Sequence, residues 1–132
     1  NPNASTCGDY YCDANSVCGV SCTEIDLMEA NMFSFHSTLH SAADRFGLGA
    51  GLGGGGSDWN GPRDWEASDY GPSARCIDTN LPFGVAVSFP TDSDGRLKAM
   101  EVQLTQYGKY CPLSVTVTGY EGLEEVSRAL AE

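Results

Sequence analysis

The sequence is short of positive charge. Seven Lys and Arg stand against eighteen Asp and Glu in 132 residues, a formal charge of −11. A chain so charged repels the phosphates of nucleic acid and an anionic membrane surface, so we expect neither as a partner. A neutral polysaccharide carries no such penalty. Long hydrophobic runs are also missing: no stretch has the length of a transmembrane helix or a signal peptide. The chain opens on Asn1-Pro2-Asn3, so we expect that a signal or a longer N-terminal portion has been removed. No CxxC pair occurs, which argues against zinc. No Gly-Lys-Ser/Thr follows the glycines of residues 47–56, which argues against a phosphate loop. There is no internal repeat. The sequence implies no cofactor and no metal.

Cysteine, by contrast, is plentiful. Six in so short a chain point to an oxidising compartment and disulfides, hence to a secreted protein. Asn3-Ala4-Ser5, a glycosylation sequon, agrees with secretion. Of fifteen possible pairings we expect Cys7 with Cys18, Cys12 with Cys22, and Cys76 with Cys111. The second bridge would anchor the segment that begins at Cys22.

That segment, Cys22-Thr23-Glu24-Ile25-Asp26-Leu27-Met28-Glu29-Ala30-Asn31, places three carboxylates within six residues. Ile25 and Leu27 alternate with Glu24 and Asp26, the period of a half-buried strand. Glu24 and Asp26 then share one face, but Glu29 has the wrong parity to join them. One extra residue, a β-bulge near Leu27-Met28, would turn Glu29 to the same side. A carboxylate nucleophile and a carboxylic acid facing one another is the equipment of a retaining glycosidase.

Elsewhere the pattern is of short strands between turns. Residues 32–40 read as a second strand, and the Gly-rich 47–56 as a flexible surface loop. Runs at 85–89 and 97–104 flank an Asp94-Gly95 hairpin signal, and 113–118 alternates too. Leu123, Val126 and Leu130 mark one short amphipathic C-terminal helix, with acids at its N-terminal end. The fold expected is a single, mainly β domain over residues 1–132: an antiparallel sandwich, partial, with that helix.

The acidic segment resembles the signature of the cellulases of glycoside hydrolase family 7, with Cys22 before the acids and Ala30-Asn31 after them. The likeness continues through His40, Asp58-Trp59-Asn60, Arg63, Ser68-Asp69-Tyr70-Gly71-Pro72, Ile77-Asp78-Thr79 and 83–89. Glu-Ile-Asp-x-Met-Glu is also similar to the β-1,3-glucanases of family 16, but the flanks favour family 7. The resemblance implies a concanavalin-like jelly roll and hydrolysis of β-1,4-glucan. It implies Glu24 as nucleophile, Glu29 as general acid/base and Asp26 as the group that holds and tunes Glu24. It places His40 near the leaving group, Arg63 on sugar hydroxyls and Trp59 as a stacking face. His36 has no counterpart and reads as structural. Two like charges nearby should raise the pKa of Glu29. Family 7 catalytic domains are several times longer than this chain. We therefore expect exposed sheet to be covered by self-association, by a partner chain or by further sequence.

Overall fold

A computed structural model describes residues 4–53 and 63–131. Among the described residues eight strands and one helix follow in order: β1 (Glu24–Ala30), β2 (Phe35–His40), β3 (Leu48–Leu52), β4 (Tyr70–Gly71), β5 (Ile77–Asp78), β6 (Gly84–Ser88), β7 (Met100–Thr105), β8 (Leu113–Val117) and α1 (Leu123–Ala131). The fold is mainly β with one short C-terminal helix, as the short alternating runs predict. Two three-stranded antiparallel sheets, β1-β2-β3 and β6-β7-β8, are each built as a consecutive meander, and β4 pairs with β5 in parallel.

The period of two explains how the sheets meet. On β7, Met100, Val102 and Leu104 are buried while Glu101, Gln103 and Thr105 face water; β8 repeats this with Leu113, Val115 and Val117 inward. Phe35 and Leu39 of β2 and Ala50 and Leu52 of β3 join them in one apolar cluster. Trp65 and Tyr70 fill the same core, with Phe35 at 5.8 Å and 6.0 Å between ring centroids. Burying each large aliphatic or aromatic side chain of this kind stabilises the fold by roughly 1.5–3 kcal/mol. Gln106 supplies the polar tie at the edge: its side chain accepts from the Asp78 amide and donates to the carbonyls of Asp78, Leu81 and Pro82.

The hairpin between β6 and β7 turns at Asp94-Gly95 as expected, with Gly95 at φ 78° and the Asp92 carboxylate accepting from the amides of Asp94 and Arg96. The hairpin between β1 and β2 turns at Asn31, whose side-chain oxygen accepts from the amides of Phe33 and Ser34. This turn keeps residues 32–34 out of the second strand, which begins at Phe35 rather than Met32.

The Gly-rich stretch corrects an expectation. Its first half is not a surface loop but strand β3, paired with β2 from Leu52 opposite Phe35 to Leu48 opposite Leu39. Gly-Leu-Gly-Ala-Gly-Leu is itself a period-two pattern, with Ala50 and Leu52 turned into the core and glycines on the other face. Glycine is required there because β2 side chains lie across it. A Cβ on Gly49 would stand 2.8 Å from Thr38 Oγ1 and 3.0 Å from Ser37 O. At Gly47 (φ 58°) it would stand 2.7 Å from His40 Nδ1 and closer still to the Leu39 carbonyl. The second half of the stretch, 54–56, lies outside the described residues, as do Asn3 and Asp58-Trp59-Asn60.

The three disulfides join Cys7 to Cys18, Cys12 to Cys22 and Cys76 to Cys111, the pairs expected from the sequence, and leave no free cysteine. They point to an oxidising environment. Among the described residues no helix is long and apolar enough to cross a membrane. Strand β1 ends its sheet, with no neighbour on its outer side among the described residues, and Leu27 (47 % exposed) and Met28 (53 %) project there.

Candidate active site

Whether the three acids share a face is decided by the pairing of β1 with β2. Glu24 lies opposite His40, Ile25 opposite Leu39 and Asp26 opposite Thr38; the next pair is Glu29 opposite His36. Between Asp26 and Glu29 strand β1 advances three residues while β2 advances two. That surplus residue is a β-bulge at Leu27-Met28, and it reverses the parity of everything after it. Glu24, Asp26 and Glu29 therefore belong to one row of positions, facing the side of His36, Thr38 and His40, while Ile25 packs against the core.

A bulge leaves backbone groups outside the ladder, and here a side chain takes one up. Ser37, fully buried on β2, donates from Oγ to the Leu27 carbonyl at 2.7 Å. Ser37 escaped the sequence reading because a lone serine in a strand has no signature; only the register shows its task.

Each acid has a distinct setting. Glu24 Oε2 accepts from the Ala14 amide at 3.0 Å, a donor held in the loop that the Cys12–Cys22 bridge closes. Asp26 Oδ2 lies 3.0 Å from His40 Nε2. Its pKa is raised, first by burial and then by the Glu24 charge, with His40 pulling the other way; a hydrogen bond to Glu24 raises it further. The pKa of Glu29 is raised too. Desolvation is the larger cause and the charges of Asp26 and Glu24 add to it, against His40. Like charges alone do not account for the shift; crowding around the carboxyl contributes more, although the residue itself is exposed.

His40 is 6 % exposed and its ring is fixed at both nitrogens. Nδ1 lies 2.8 Å from the Asp44 carbonyl oxygen, which only accepts, so Nδ1 carries the hydrogen. Asp44 is in turn held by the Tyr120 hydroxyl at 2.6 Å and by the amides of Gly47 and Phe46, and these donors lower its pKa, Tyr120 most. Helix α1 closes this end: Glu125 Oε1 accepts from Thr23 Oγ1 and from the Ala42 amide. His40, expected near the leaving group, contacts Asp26, because the cross-strand pair and the Asp44 carbonyl aim Nε2 there.

The other expected residues fall differently. Arg63 forms an isolated antiparallel bridge with Leu52, beyond the far edge of the same sheet. Leu52 and its partner Phe35 turn into the core, so Arg63 belongs to their row and lines a separate hollow with Phe33, Trp65 and Glu66. The structure does not bring it to the acids. Trp59 lies outside the described residues. His36, read as structural, is buried in the acid row opposite Glu29 over Gly51; burial lowers its pKa, with the Asp64 charge opposing. Tyr11, which the sequence reading gave no role, lies near enough for the charges of Glu24 and Asp26 to raise its pKa, behind a hydrogen bond to Asp13 as the main cause.

Two carboxyls with raised pKa values and a third held by a backbone donor can divide acid and nucleophile duties between them. Comparison with protein-family models, with curated proteins and with solved structures finds no match to this chain.

Proposed function

We propose that the chain is, or belongs to, a secreted retaining glycoside hydrolase of the family 7 type, cleaving β-1,4-glucan by double displacement. The observation that carries this is the bulge at Leu27-Met28, which sets Glu24, Asp26 and Glu29 in one row. Retaining glycosidases hold their two carboxyls about 5–5.5 Å apart, one ionised and one protonated. Glu24, with the Ala14 amide on one oxygen, is the nucleophile that attacks the anomeric carbon. Glu29, whose pKa is raised, protonates the departing glycosidic oxygen and then deprotonates the water that releases the sugar. Asp26, between them and tied to His40, donates to Glu24 and keeps its attacking oxygen oriented.

The deciding experiment follows anomeric configuration by proton NMR as the chain acts on soluble β-1,4-gluco-oligosaccharides. Release of the β-anomer first supports the proposal; release of the α-anomer, or no cleavage, counts against it. One observation favours a second reading, a carbohydrate-binding protein without turnover. Strand β1 lies at the sheet's edge, and the one cation assigned to sugar, Arg63, is on another row. Glucan binding with no sugar release selects that reading.

A further inference from the structure

We propose that Glu24, Asp26 and His40 form a binding site for one divalent transition-metal ion of the zinc type. One ligand atom from each of the three lies within 4.8 Å of the others. The hydrogen bonds show why a cation suits the space between them. His40 Nδ1 gives its hydrogen to the Asp44 carbonyl, so in the neutral ring Nε2 presents a lone pair. That lone pair faces Asp26 Oδ2 at 3.0 Å. Two acceptors at that distance need a positive centre between them, and either a proton or a metal ion supplies it. Two ligands each about 2.0–2.2 Å from one ion, at tetrahedral to right angles, lie about 2.8–3.6 Å apart. The observed separation already falls at that spacing. Glu24, directly across the strand pair from His40, is held by the Ala14 amide and brings one carboxylate oxygen to the cluster.

The surroundings are those of a metal-binding histidine. Such residues pass their second N–H to a carbonyl or carboxylate, which sets ring orientation and basicity. Here the Asp44 carbonyl takes it, and Asp44 is itself clamped by Tyr120. The ring lies against Gly47, where any side chain would collide with it. Imidazole among the ligands favours zinc, cobalt or copper over magnesium and calcium, which prefer oxygen alone. Nothing in the spacing reveals this donor set, since the antiparallel register brings His40 to Glu24. On the hydrolase reading the ion is an inhibitor, because it takes the lone pair with which Glu24 attacks. That consequence rests on the hydrolase reading; the binding does not.

The test titrates cobalt(II) chloride into the whole chain, read by visible absorption and by calorimetry, with magnesium chloride as comparison. Expected is one Co2+ per chain with an absorption band from mixed imidazole and carboxylate ligation, displaced by Zn2+. Glu24→Gln and Asp26→Asn, both isosteric and so expected to fold, should each weaken binding by about 10–100-fold or more. His40→Gln should do the same, and the charge-matched control Glu101→Gln should bind as the wild type does. No saturable binding, equal binding by all variants, or equal competition from Mg2+ would overturn the site. If glucan is cleaved, saturating Zn2+ stops cleavage and EDTA restores it; cleavage unaffected by bound ion overturns the placement of the ion on Glu24. Binding without any cleavage leaves the ion site standing and removes only the hydrolase reading.

Discussion

Ser37→Ala removes the hydroxyl that meets the bulge. Ser37 is fully buried and donates to the Leu27 carbonyl at 2.7 Å, so the substitution loses a hydrogen bond and fills no space in return. A typical intramolecular bond contributes about 1 kcal/mol, and a carbonyl left dry adds a penalty of about 1–3 kcal/mol. Leu27 is about half exposed and sits on the sheet's edge, so water reaches its carbonyl in the variant and the loss should lie near the lower end, about 1–2 kcal/mol. With an unfolding entropy of about 2.1 cal/mol/K per residue, that lowers Tm by roughly 4–7 °C. The assay is urea and thermal unfolding of wild type, Ser37→Ala and Ser114→Ala. Ser114 lies exposed on β8, where substitution should change stability by less than about 0.5 kcal/mol. If the hydroxyl also keeps the bulge in place, Ser37→Ala loses hydrolytic activity beyond its loss of stability. Ser37→Ala as stable as Ser114→Ala, with unchanged activity, would refute the reasoning.

Gly47→Ala puts a methyl against the Leu39 carbonyl and 2.7 Å from His40 Nδ1 at a φ of 58°; a loss of at least about 1–3 kcal/mol in urea unfolding is expected. Glu29→Gln should stabilise the fold while lowering activity on glucan. The folded pKa of Glu29 is above its ordinary 4.5, so the native state holds the proton more tightly than the unfolded chain. The two proteins should match below pH 4.5 and the variant gain progressively as pH rises through the raised folded pKa, read from Tm against pH. Replacing Cys12 and Cys22 by Ser opens a loop of sequence separation 10 and should cost about 3 kcal/mol, against about 4 kcal/mol for the Cys76–Cys111 bridge with separation 35. Calorimetry checks the order, and the first pair alone should also lower activity, because Ala14 and its bond to Glu24 lie in that loop.

The sequence made some of this legible because parity is countable. Glu24 and Glu29 differ by an odd number, so a shared face required one surplus residue, and the only place for it was between Asp26 and Glu29. The clean alternation of β7 and β8 and the spacing of Leu123, Val126 and Leu130 were legible for the same reason. Strand β3 was not, since glycine reads as flexibility. Its alternation had meaning only beside His36, Thr38 and His40, whose side chains occupy the space that glycine leaves. The contact of His40 with Asp26 and the service of Ser37 to Leu27 were hidden as well, because both depend on which residues face each other across two strands. Likeness of order suits Arg63 to a cleft, whereas its pairing with Leu52 puts it on the row of the core.

In the proposed hydrolase Glu24 and Glu29 have different tasks on one face. The most direct measurement is hydrolysis of β-1,4-glucan and of an aryl glycoside with a good leaving group by wild type, Glu24→Gln and Glu29→Gln. Glu24→Gln should be inactive on both substrates. Glu29→Gln should lose about 10²–10⁴-fold on glucan yet still form the glycosyl-enzyme from the aryl glycoside, which needs no acid to depart. Wild-type rates for both variants on glucan would contradict the account.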